Sequence, residues 1–207
     1  MFTVTDIKQM SYCARIVYYG YCLPGLRVAR THKMALGTEA NDDVELLEHR
    51  RSLRAYGLQQ GVRHYDVWLE SEALDLRGRL DMLIESADEL IPVDYKDSTS
   101  GFEETTDAKA GKPPRPSKMV QHNWALQLAA YALLAEAVHG RSIRRGFIYF
   151  IPARRAREVV FGEEIRHEVM QLLDEMGRMV TDERQPGPTP FRARCEACEF
   201  RRFCNDV

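Results

Sequence analysis

The cysteines stand at the two ends of a 207-residue chain, and this placement limits how the chain can fold. Cys195, Cys198 and Cys204 form a C-x2-C-x5-C pattern near the C-terminus, and three thiols so close together are typical of a metal centre. A tetrahedral zinc ion or an iron–sulfur cubane needs a fourth thiolate, which Cys13 or Cys22 must supply. Thiol chemistry alone does not distinguish zinc from iron and sulfur. In both cases the pattern predicts that the two ends of the chain meet, so that the centre closes a loop of nearly the whole chain.

The composition indicates one folded domain inside the cell. Hydrophobic residues make up 44% of the chain, enough for one core, and no apolar run approaches the ~20 residues of a membrane span. The segment that follows Met1 lacks the basic and apolar regions of a secretory signal. We therefore expect a cytoplasmic protein with no membrane partner and no disulfides.

The charge is nearly balanced overall but uneven along the chain. The 29 Lys and Arg residues against 31 Asp and Glu residues give a net charge of −2, which argues against a basic coat over the whole protein. Residues 140–160 nevertheless hold six arginines against one glutamate. This patch attracts phosphate groups or is an ordinary solvated surface.

Hydrophobic periodicity predicts alternating helices and strands. We expect three antiparallel strands over 63–69, 74–84 and 90–96, and a short buried strand over 147–151. We expect helices from 37 to about 60, over 119–139 and over 163–180. Residues 97–118 contain three prolines and are predicted to form a long loop.

The second and third strands bring two carboxylates together. A two-residue turn at 87–88 predicts that Asp81 lies opposite Asp94. Directly opposed residues have Cβ atoms about 4.5–5.5 Å apart, so the two like charges repel each other and require a cation between them. Mg²⁺ fits this position because it is commonly bound through one or two carboxylates together with waters and phosphates.

The same register predicts which residues share the face of the two aspartates. Arg79 lies opposite Lys96 on that face, whereas Leu80 and Met82 supply apolar side chains to the other face. Lys96 can orient an attacking water or offset charge that develops on a phosphoryl oxygen. This set is the minimum for metal-dependent cleavage of a phosphodiester. The alternative is an exposed Asp-x-Lys ion pair on a surface strand, which stabilises little.

Two polar side chains interrupt an apolar helix face. Gln127 and Tyr131 are four residues apart, so the amide and the phenol both point toward the sheet, where buried polar groups need partners. One interpretation is a glutamine that holds the active-site network and a tyrosine near a nucleic-acid backbone. The other is a glutamine bonded to a backbone carbonyl and a tyrosine packed in the core. We expect Trp124, on the same stripe, to pack in the core.

In chain order, these features together resemble the RecB-like nucleases that carry an iron–sulfur cluster. The most similar family is the CRISPR-associated exonuclease, fourth in the Cas naming series. The resemblance covers the chain from the first to the last cysteine of the set and implies a single α/β domain over 1–207. Its core would be restriction-endonuclease-like, of the PD-(D/E)xK, RecB type, with a mixed sheet flanked by helices and a Cys-bearing lobe formed by about 1–30 and 185–207. The residues that carry the resemblance are Gly37, Asp81, Asp94-Tyr95-Lys96, Gln127, Tyr131, Cys13, Cys195, Cys198 and Cys204.

The resemblance also implies an activity and roles for these residues. The family cleaves DNA with Mg²⁺ or Mn²⁺ and works with the CRISPR integrase complex to process prespacer ends, here in single-stranded DNA or overhangs. By this resemblance Asp81 and Asp94 would ligate the metal, Lys96 would be catalytic, and Gln127 and Tyr131 would be the QxxxY element. An iron–sulfur cluster, 4Fe–4S in preference to 2Fe–2S, would be held by Cys13, Cys195, Cys198 and Cys204.

One position departs from the family pattern. The usual metal-binding His, four residues after the helix glycine, is Asn41 in this chain, and His32 and His49 are poorly placed to replace it. An Asn carbonyl can bind a hard cation but lacks the imidazole nitrogen that favours Mn²⁺ over Mg²⁺. We therefore expect weak or Mg²⁺-dependent activity. The alternatives are a stand-alone repair exonuclease of the same fold and a catalytically weak subunit that recognises DNA ends or motifs.

Basic residues near the predicted site are expected to guide a single DNA strand. The expectation falls on Arg154, Arg155 and Arg157, together with Lys109 and Lys112 in the predicted loop. Tyr131 or Trp124 would stack on a base, although core packing is the preferred role for the tryptophan.

Overall fold

A six-stranded mixed sheet forms the centre of the protein. The structure, a computed structural model, describes residues 1–26, 52–98, 120–196 and 198–204. The strands are β1 (Phe2–Thr3), β2 (Val62–Ser71), β3 (Leu76–Glu85), β4 (Leu90–Lys96), β5 (Arg145–Phe150) and β6 (Arg155–Val160). The α-helices of these residues are α1 (Val4–Tyr12), α2 (Ala14–Cys22), α3 (His122–His139) and α4 (Glu163–Thr181), with short 3-10 helices at Leu53–Tyr56 and Arg192–Cys195.

The sheet mixes antiparallel and parallel pairs. β2, β3 and β4 form an antiparallel meander, β4 pairs in parallel with β5, and β5 pairs antiparallel with β6. The connection from β4 to the parallel strand β5 contains α3, as expected for a parallel crossover. β1 pairs in parallel with the first residues of β3. Within the described residues, no helix is long and apolar enough to cross a bilayer.

Most of the predicted elements are confirmed. The α/β class, the three antiparallel strands, the buried fourth strand and the helices at α3 and α4 all form within a few residues of their predicted limits. The predicted hairpin register is also confirmed, because Ile84 pairs with Ile91 and Met82 pairs with Val93. The turn closes with the Ser86 N–H donating to the Glu89 carbonyl.

The predicted helix from 37 to about 60 is wrong at its C-terminal end. A 3-10 turn occupies Leu53–Tyr56 and ends at Gly57, whose φ of +74° lies in the left-handed region that favours glycine. The rest of that prediction lies outside the described residues, and so do Gly37, His32, Asn41 and His49. Most of the predicted loop, with Lys109 and Lys112, lies outside them as well.

Two helices and two strands were not predicted, and the predicted single apolar stripe of α3 was too narrow. α1, α2, β1 and β6 are short and contain few residues of strong periodicity. The start of α1 does carry a local signal, because Thr3 and Asp6 form a reciprocal capping box. α3 is buried on most of its surface and not along one stripe, since helices and the sheet surround it, whereas Val138 near its end is exposed.

Apolar side chains pack on both faces of the sheet. The larger cluster lies between the sheet and the helices, and the smaller one lies on the opposite face, where it includes Leu53 and Tyr56. The prediction that Leu80 shares a face with Met82 is wrong, because Leu80 belongs to the larger cluster and Met82 to the smaller one. The alternation shifts between them, opposite Asp66 of β2, whose φ of +51° interrupts the regular pleat.

Gly78 lets α1 and α3 pack directly on β3. A Cβ atom at this position would lie 2.8 Å from Tyr131 Cε1 and 2.9 Å from Val4 Cγ2. We expect Gly78→Ala to lower the free energy of unfolding by about 1–3 kcal/mol, because it overpacks the core. Gly177 of α4 has open space around it, so Gly177→Ala should raise the same quantity by about 0.5–1 kcal/mol. Urea unfolding measures the free energy of unfolding of both variants. A Gly78→Ala variant as stable as the wild type would contradict this packing.

Candidate active site

The predicted site residues gather where β3 and β4 separate. Their ladder runs from Glu85–Leu90 to Met82–Val93, and β4 then continues in pairing with β5. Beyond the last pair, the backbone N–H of Tyr95 donates to Asp81 Oδ2 over 2.6 Å. A side-chain carboxylate therefore occupies the place where a backbone carbonyl would accept in a continuous ladder. We call this opening between the two strands the fork.

The separation of the strands corrects two predicted pairs. Asp81 and Asp94 are not a pair of the ladder, although the charge of Asp94 acts on Asp81. Arg79 does not lie opposite Lys96, because the β3–β4 ladder stops before it reaches them. Arg79 pairs instead with Trp68 of β2, and its guanidinium forms an exposed ion pair with Asp66 at 2.7 Å. Arg79 therefore contributes its backbone carbonyl, and not its charge, to the fork.

Asp94 and Lys96 lie on the face of β4 that α3 covers. Asp94 is 4% exposed, and the Lys96 ammonium contacts its Oδ2. The same ammonium donates to Gln127 Oε1 over 2.9 Å, and Gln127 is buried. The lysine is thus held between a carboxylate of the sheet and an amide of the helix.

Tyr131 closes the other side of the fork. Its hydroxyl donates to the Arg79 carbonyl over 2.7 Å, and its ring is buried. Burial, together with the charges of Asp94 and Asp81, raises the pKa of Tyr131 above its usual range. The expectation that Tyr131 stacks on a base is therefore wrong. Trp124 packs edge-to-face on Phe150, as expected for a residue that contributes to the core.

The fork is electrostatically unfavourable for two carboxylates. Burial is the main cause that raises the pKa of Asp81 to about 7, and the negative charge of Asp94 adds to it. The hydrogen bond from the Tyr95 N–H opposes this shift. Two carboxylates that are short of solvent and repel each other form a donor set that suits a hard divalent cation.

The donor set of the described residues is incomplete by itself. Among residues 1–26, 52–98, 120–196 and 198–204, no three His, Cys, Asp or Glu side chains form a complete metal site. Asp94 Oδ2 accepts no hydrogen bond of regular geometry from those residues, although the Lys96 ammonium lies against it. A cation in the fork therefore needs further oxygen ligands from elsewhere, such as water.

Lys8 is a site residue that the sequence reasoning missed. It lies on α1, and its charge interacts with Lys96 and Asp94 and also with Glu199 of the C-terminal segment. Burial, followed by the Lys96 charge, lowers the pKa of Lys8. No spacing rule links it to β4, because its position near the fork depends on how α1 packs against β3 and α3.

Four of the five cysteines line one pocket between α2 and the C-terminal segment. We call this the Cys pocket, and its sulfur atoms come from Cys13, Cys195, Cys198 and Cys204. Cys22 is not among its lining residues, and all five cysteines are outside disulfides. The prediction that the two ends of the chain meet is thus confirmed by their packing.

The ends are also joined without any metal. The Arg194 guanidinium donates to the Tyr12 carbonyl over 2.7 Å, at the end of α1. It also lies over the rings of Tyr12 and Phe191, with its Cζ 4.8 Å and 4.3 Å from the ring centres. Tyr19 packs against Phe200. These contacts hold the C-terminal segment on α1 and α2.

Comparison with known proteins agrees with this geometry. Residues 25–205 match the model of the PD-(D/E)XK nuclease superfamily. The chain is 27% identical to the CRISPR-associated exonuclease Cas4 of Francisella tularensis subsp. novicida over 98% of this chain and 93% of that protein. It is 30% identical to the Cas4 of Aeropyrum pernix over 97% of this chain and 93% of that protein.

The chain belongs to the Cas4 family of PD-(D/E)XK nucleases.

A longer relative and a solved structure extend the comparison. The CRISPR-associated exonuclease Cas4/endonuclease Cas1 fusion of Geobacter sulfurreducens is 28% identical over 67% of this chain and 22% of that protein. A candidate exonuclease of Eubacterium rectale has the same fold, with a TM-score of 0.55 at 14% identity over 99% of this chain and 88% of that one. As a Cas4-family member, the protein is a nuclease of a superfamily that uses divalent metals.

The raised pKa of Asp81 makes stability depend on pH. The folded Cas4-family chain holds this proton more tightly than the unfolded chain does, so the stabilisation is complete below about pH 4 and is lost as the pH rises through about 7. Without divalent metal, Asp81→Asn should therefore be more stable than the wild type at pH 8, by on the order of 2 kcal/mol. Urea unfolding at pH 5 and pH 8 measures the difference.

Asp88→Asn, in the exposed turn of the same hairpin, is the control and should keep the wild-type pH dependence. Millimolar Mg²⁺ should stabilise the wild type at pH 8 but not Asp81→Asn, because a ligand that binds the folded state raises its stability. Identical pH profiles for the wild type and Asp81→Asn would contradict this description of the fork.

Proposed function

We propose that the protein is a metal-dependent DNA exonuclease that processes prespacer ends during CRISPR adaptation. Its substrate would be single-stranded DNA or an overhang, and its reaction the hydrolysis of phosphodiesters. The observation that carries this proposal is the arrangement at the fork, where Asp81 and Asp94 meet beside the ammonium of Lys96.

Asp81 and Asp94 would bind the cation, Mg²⁺ or Mn²⁺, through carboxylate oxygens. Asn41, from the segment outside the described residues, would contribute a carbonyl oxygen. A divalent cation supplies Lewis acidity toward a phosphoryl oxygen and lowers the pKa of water. The two carboxylates would hold this cation, and the burial of Asp94 would limit the access of competing water.

Lys96 would be the catalytic residue that contacts the reacting phosphate. This role is supported by the way its ammonium is held, since it donates a hydrogen bond to Gln127 Oε1 and forms an ion pair with Asp94. A cation held in this way needs no reorganisation when negative charge develops on the phosphoryl oxygens. Gln127 and Tyr131 would be positioning residues, the first for the lysine and the second for the β3 backbone beside Asp81.

Basic residues at one end of the sheet would guide the DNA strand to the fork. The Ile151 N–H donates to the Lys96 carbonyl, so the β5–β6 turn begins directly beside the last residue of β4. Arg154 and Arg155 are exposed in and after this turn, and Arg157 follows in β6. Their charges favour contacts with backbone phosphates, which are independent of base sequence.

The CRISPR integrase complex would be the protein partner. The support is the Geobacter sulfurreducens relative, in which a Cas4 exonuclease and a Cas1 endonuclease form one chain. Two activities fused in one chain act at a high effective concentration. A separate protein of this family would reach the same partner by binding.

The Cys pocket would hold an iron–sulfur cluster, with 4Fe–4S preferred over 2Fe–2S. The support is that Cys13, Cys195, Cys198 and Cys204 all line this pocket, although among the described residues they do not stand in a cluster ready to hold a metal ion. With the cluster, residues of about 1–30 and 185–207 would form one lobe of a single domain over 1–207. Zinc bound by the same thiolates is the alternative that analysis of the metal decides.

Loss of the fork residues should abolish nuclease activity. With Mg²⁺ or Mn²⁺, we expect Asp94→Ala and Lys96→Ala to degrade end-labelled single-stranded DNA at least about 100-fold more slowly than the wild type. Gln127→Ala should be about 10–100-fold slower, because Lys96 keeps its contact with Asp94 but loses its second anchor. Gel analysis of the labelled products gives the rates.

The matched control is Gln171→Ala, an exposed glutamine of α4 that should leave the rate unchanged. Degradation that persists in Asp94→Ala would contradict the proposed site. Wild-type protein that binds DNA but does not cut it would favour the DNA-end recognition subunit.

We predict that four of the five cysteines bind the cluster and that Cys22 does not. Protein purified without oxygen should be brown and contain about four iron atoms and four sulfides per chain. Cys13→Ser should lose the colour and the iron, whereas Cys22→Ser should keep both, because Cys22 does not line the pocket. Iron, sulfide and zinc analysis tests this, and colourless wild-type protein with stoichiometric zinc would contradict the iron–sulfur assignment.

A further inference from the structure

Arg15 is a buried cation in the wall of the Cys pocket. It is 7% exposed and follows Cys13 by two residues, in the first turn of α2. Its Nε donates to the Pro186 carbonyl over 3.0 Å, and its Nη1 donates to Cys204 Sγ over 3.0 Å. One guanidinium therefore connects α2 with two separate points of the C-terminal segment.

The Cys204 sulfur is a suitable acceptor for this charge. A buried guanidinium must be compensated by polar or charged partners, and a thiolate makes the stronger, charge-assisted hydrogen bond. Arg15 thus orients the sulfur that lies furthest along the chain from Cys13.

We propose that Arg15 is a positioning residue for the thiolate metal centre. It holds the Cys204 sulfur in the pocket before the metal binds, and it offsets the negative charge that four thiolates bring to the centre. This inference rests on the metal centre proposed above for the Cys pocket. Hydrogen bonds to ligand atoms from surrounding side chains orient ligands and tune affinity, typically by about 10–100-fold.

The geometry distinguishes Arg15 from another arginine of the same pocket. Arg201 also lines the Cys pocket, but it is exposed and its Nη1 contacts the Glu196 carbonyl at 3.5 Å. Arg201→Gln removes the same charge as Arg15→Gln from the same surroundings. Arg201→Gln is therefore the matched control for the Arg15–Cys204 hydrogen bond.

Cobalt binding tests the proposal whether the native centre is zinc or iron–sulfur. The full chain, stripped of metal under reducing conditions, is titrated with Co²⁺, whose thiolate charge-transfer absorption reports sulfur ligation. We expect the wild type and Arg201→Gln to bind one Co²⁺ with equal affinity. Arg15→Gln should bind at least about tenfold more weakly, the change expected when a charge-assisted hydrogen bond is lost. Arg15→Lys should fall between them, because an ammonium keeps the charge but cannot reach Pro186 and Cys204 together.

The outcomes separate this inference from the proposed metal centre. Equal Co²⁺ affinity in the wild type and Arg15→Gln, with thiolate absorption in both, would overturn the role of Arg15 alone. Absence of thiolate absorption from the wild type would overturn both the centre and this inference, and would leave the nuclease assay unaffected. If circular dichroism shows that Arg15→Gln does not fold, the Co²⁺ titration of Arg15→Lys tests the proposal instead. Arg15→Lys that binds Co²⁺ as tightly as the wild type would overturn the proposal.

Discussion

The hydrogen bond from the Tyr95 backbone N–H to Asp81 Oδ2 is the interaction on which the candidate active site depends. Where β3 and β4 separate, backbone groups lose their ladder partners, and buried backbone groups need replacements. Asp81 accepts from the Tyr95 N–H, and the Tyr131 hydroxyl donates to the Arg79 carbonyl. Asp81 and Tyr131 therefore stabilise the fork. The strands separate here without leaving these two backbone groups unsatisfied.

The sequence predicted the turns and strand pairs that depend on neighbouring residues. It missed the contacts that depend on packing between elements far apart in the chain. The turn at 87–88 and the alternation of β3 and β4 were sufficient to pair Met82 with Val93. The next predicted pair, Asp81 with Asp94, lies beyond the end of the ladder, although the charge of Asp94 still acts on Asp81. The same alternation failed at Leu80, because an aspartate with positive φ on the neighbouring strand shifts the pleat, and no pattern within β3 reveals it. The contact between Lys96 and Gln127 crosses from the sheet to a helix, so the helix spacing predicted only that Gln127 points toward the sheet and not that it bonds to Lys96. Lys8 was missed for the same reason.

α1 lies between the fork and the C-terminal segment. The charge of Lys8 interacts with Asp94 at the fork and with Glu199 in the C-terminal segment, while the end of the same helix receives the Arg194 guanidinium. The cysteine spacing predicted that the chain ends meet. Hydrogen bonds donated by the guanidinium groups of Arg15 and Arg194 hold the two ends together.

The central claim is that the two aspartates of the fork bind one divalent cation between them. A crystal structure of the protein grown with Mn²⁺ tests this directly, because anomalous scattering locates the metal independently of the protein atoms. The account predicts one Mn²⁺ ion in the fork, with oxygen atoms of both Asp81 and Asp94 in its coordination sphere. Mn²⁺ bound elsewhere with the fork empty, or bound to one aspartate while the other points away, would contradict it.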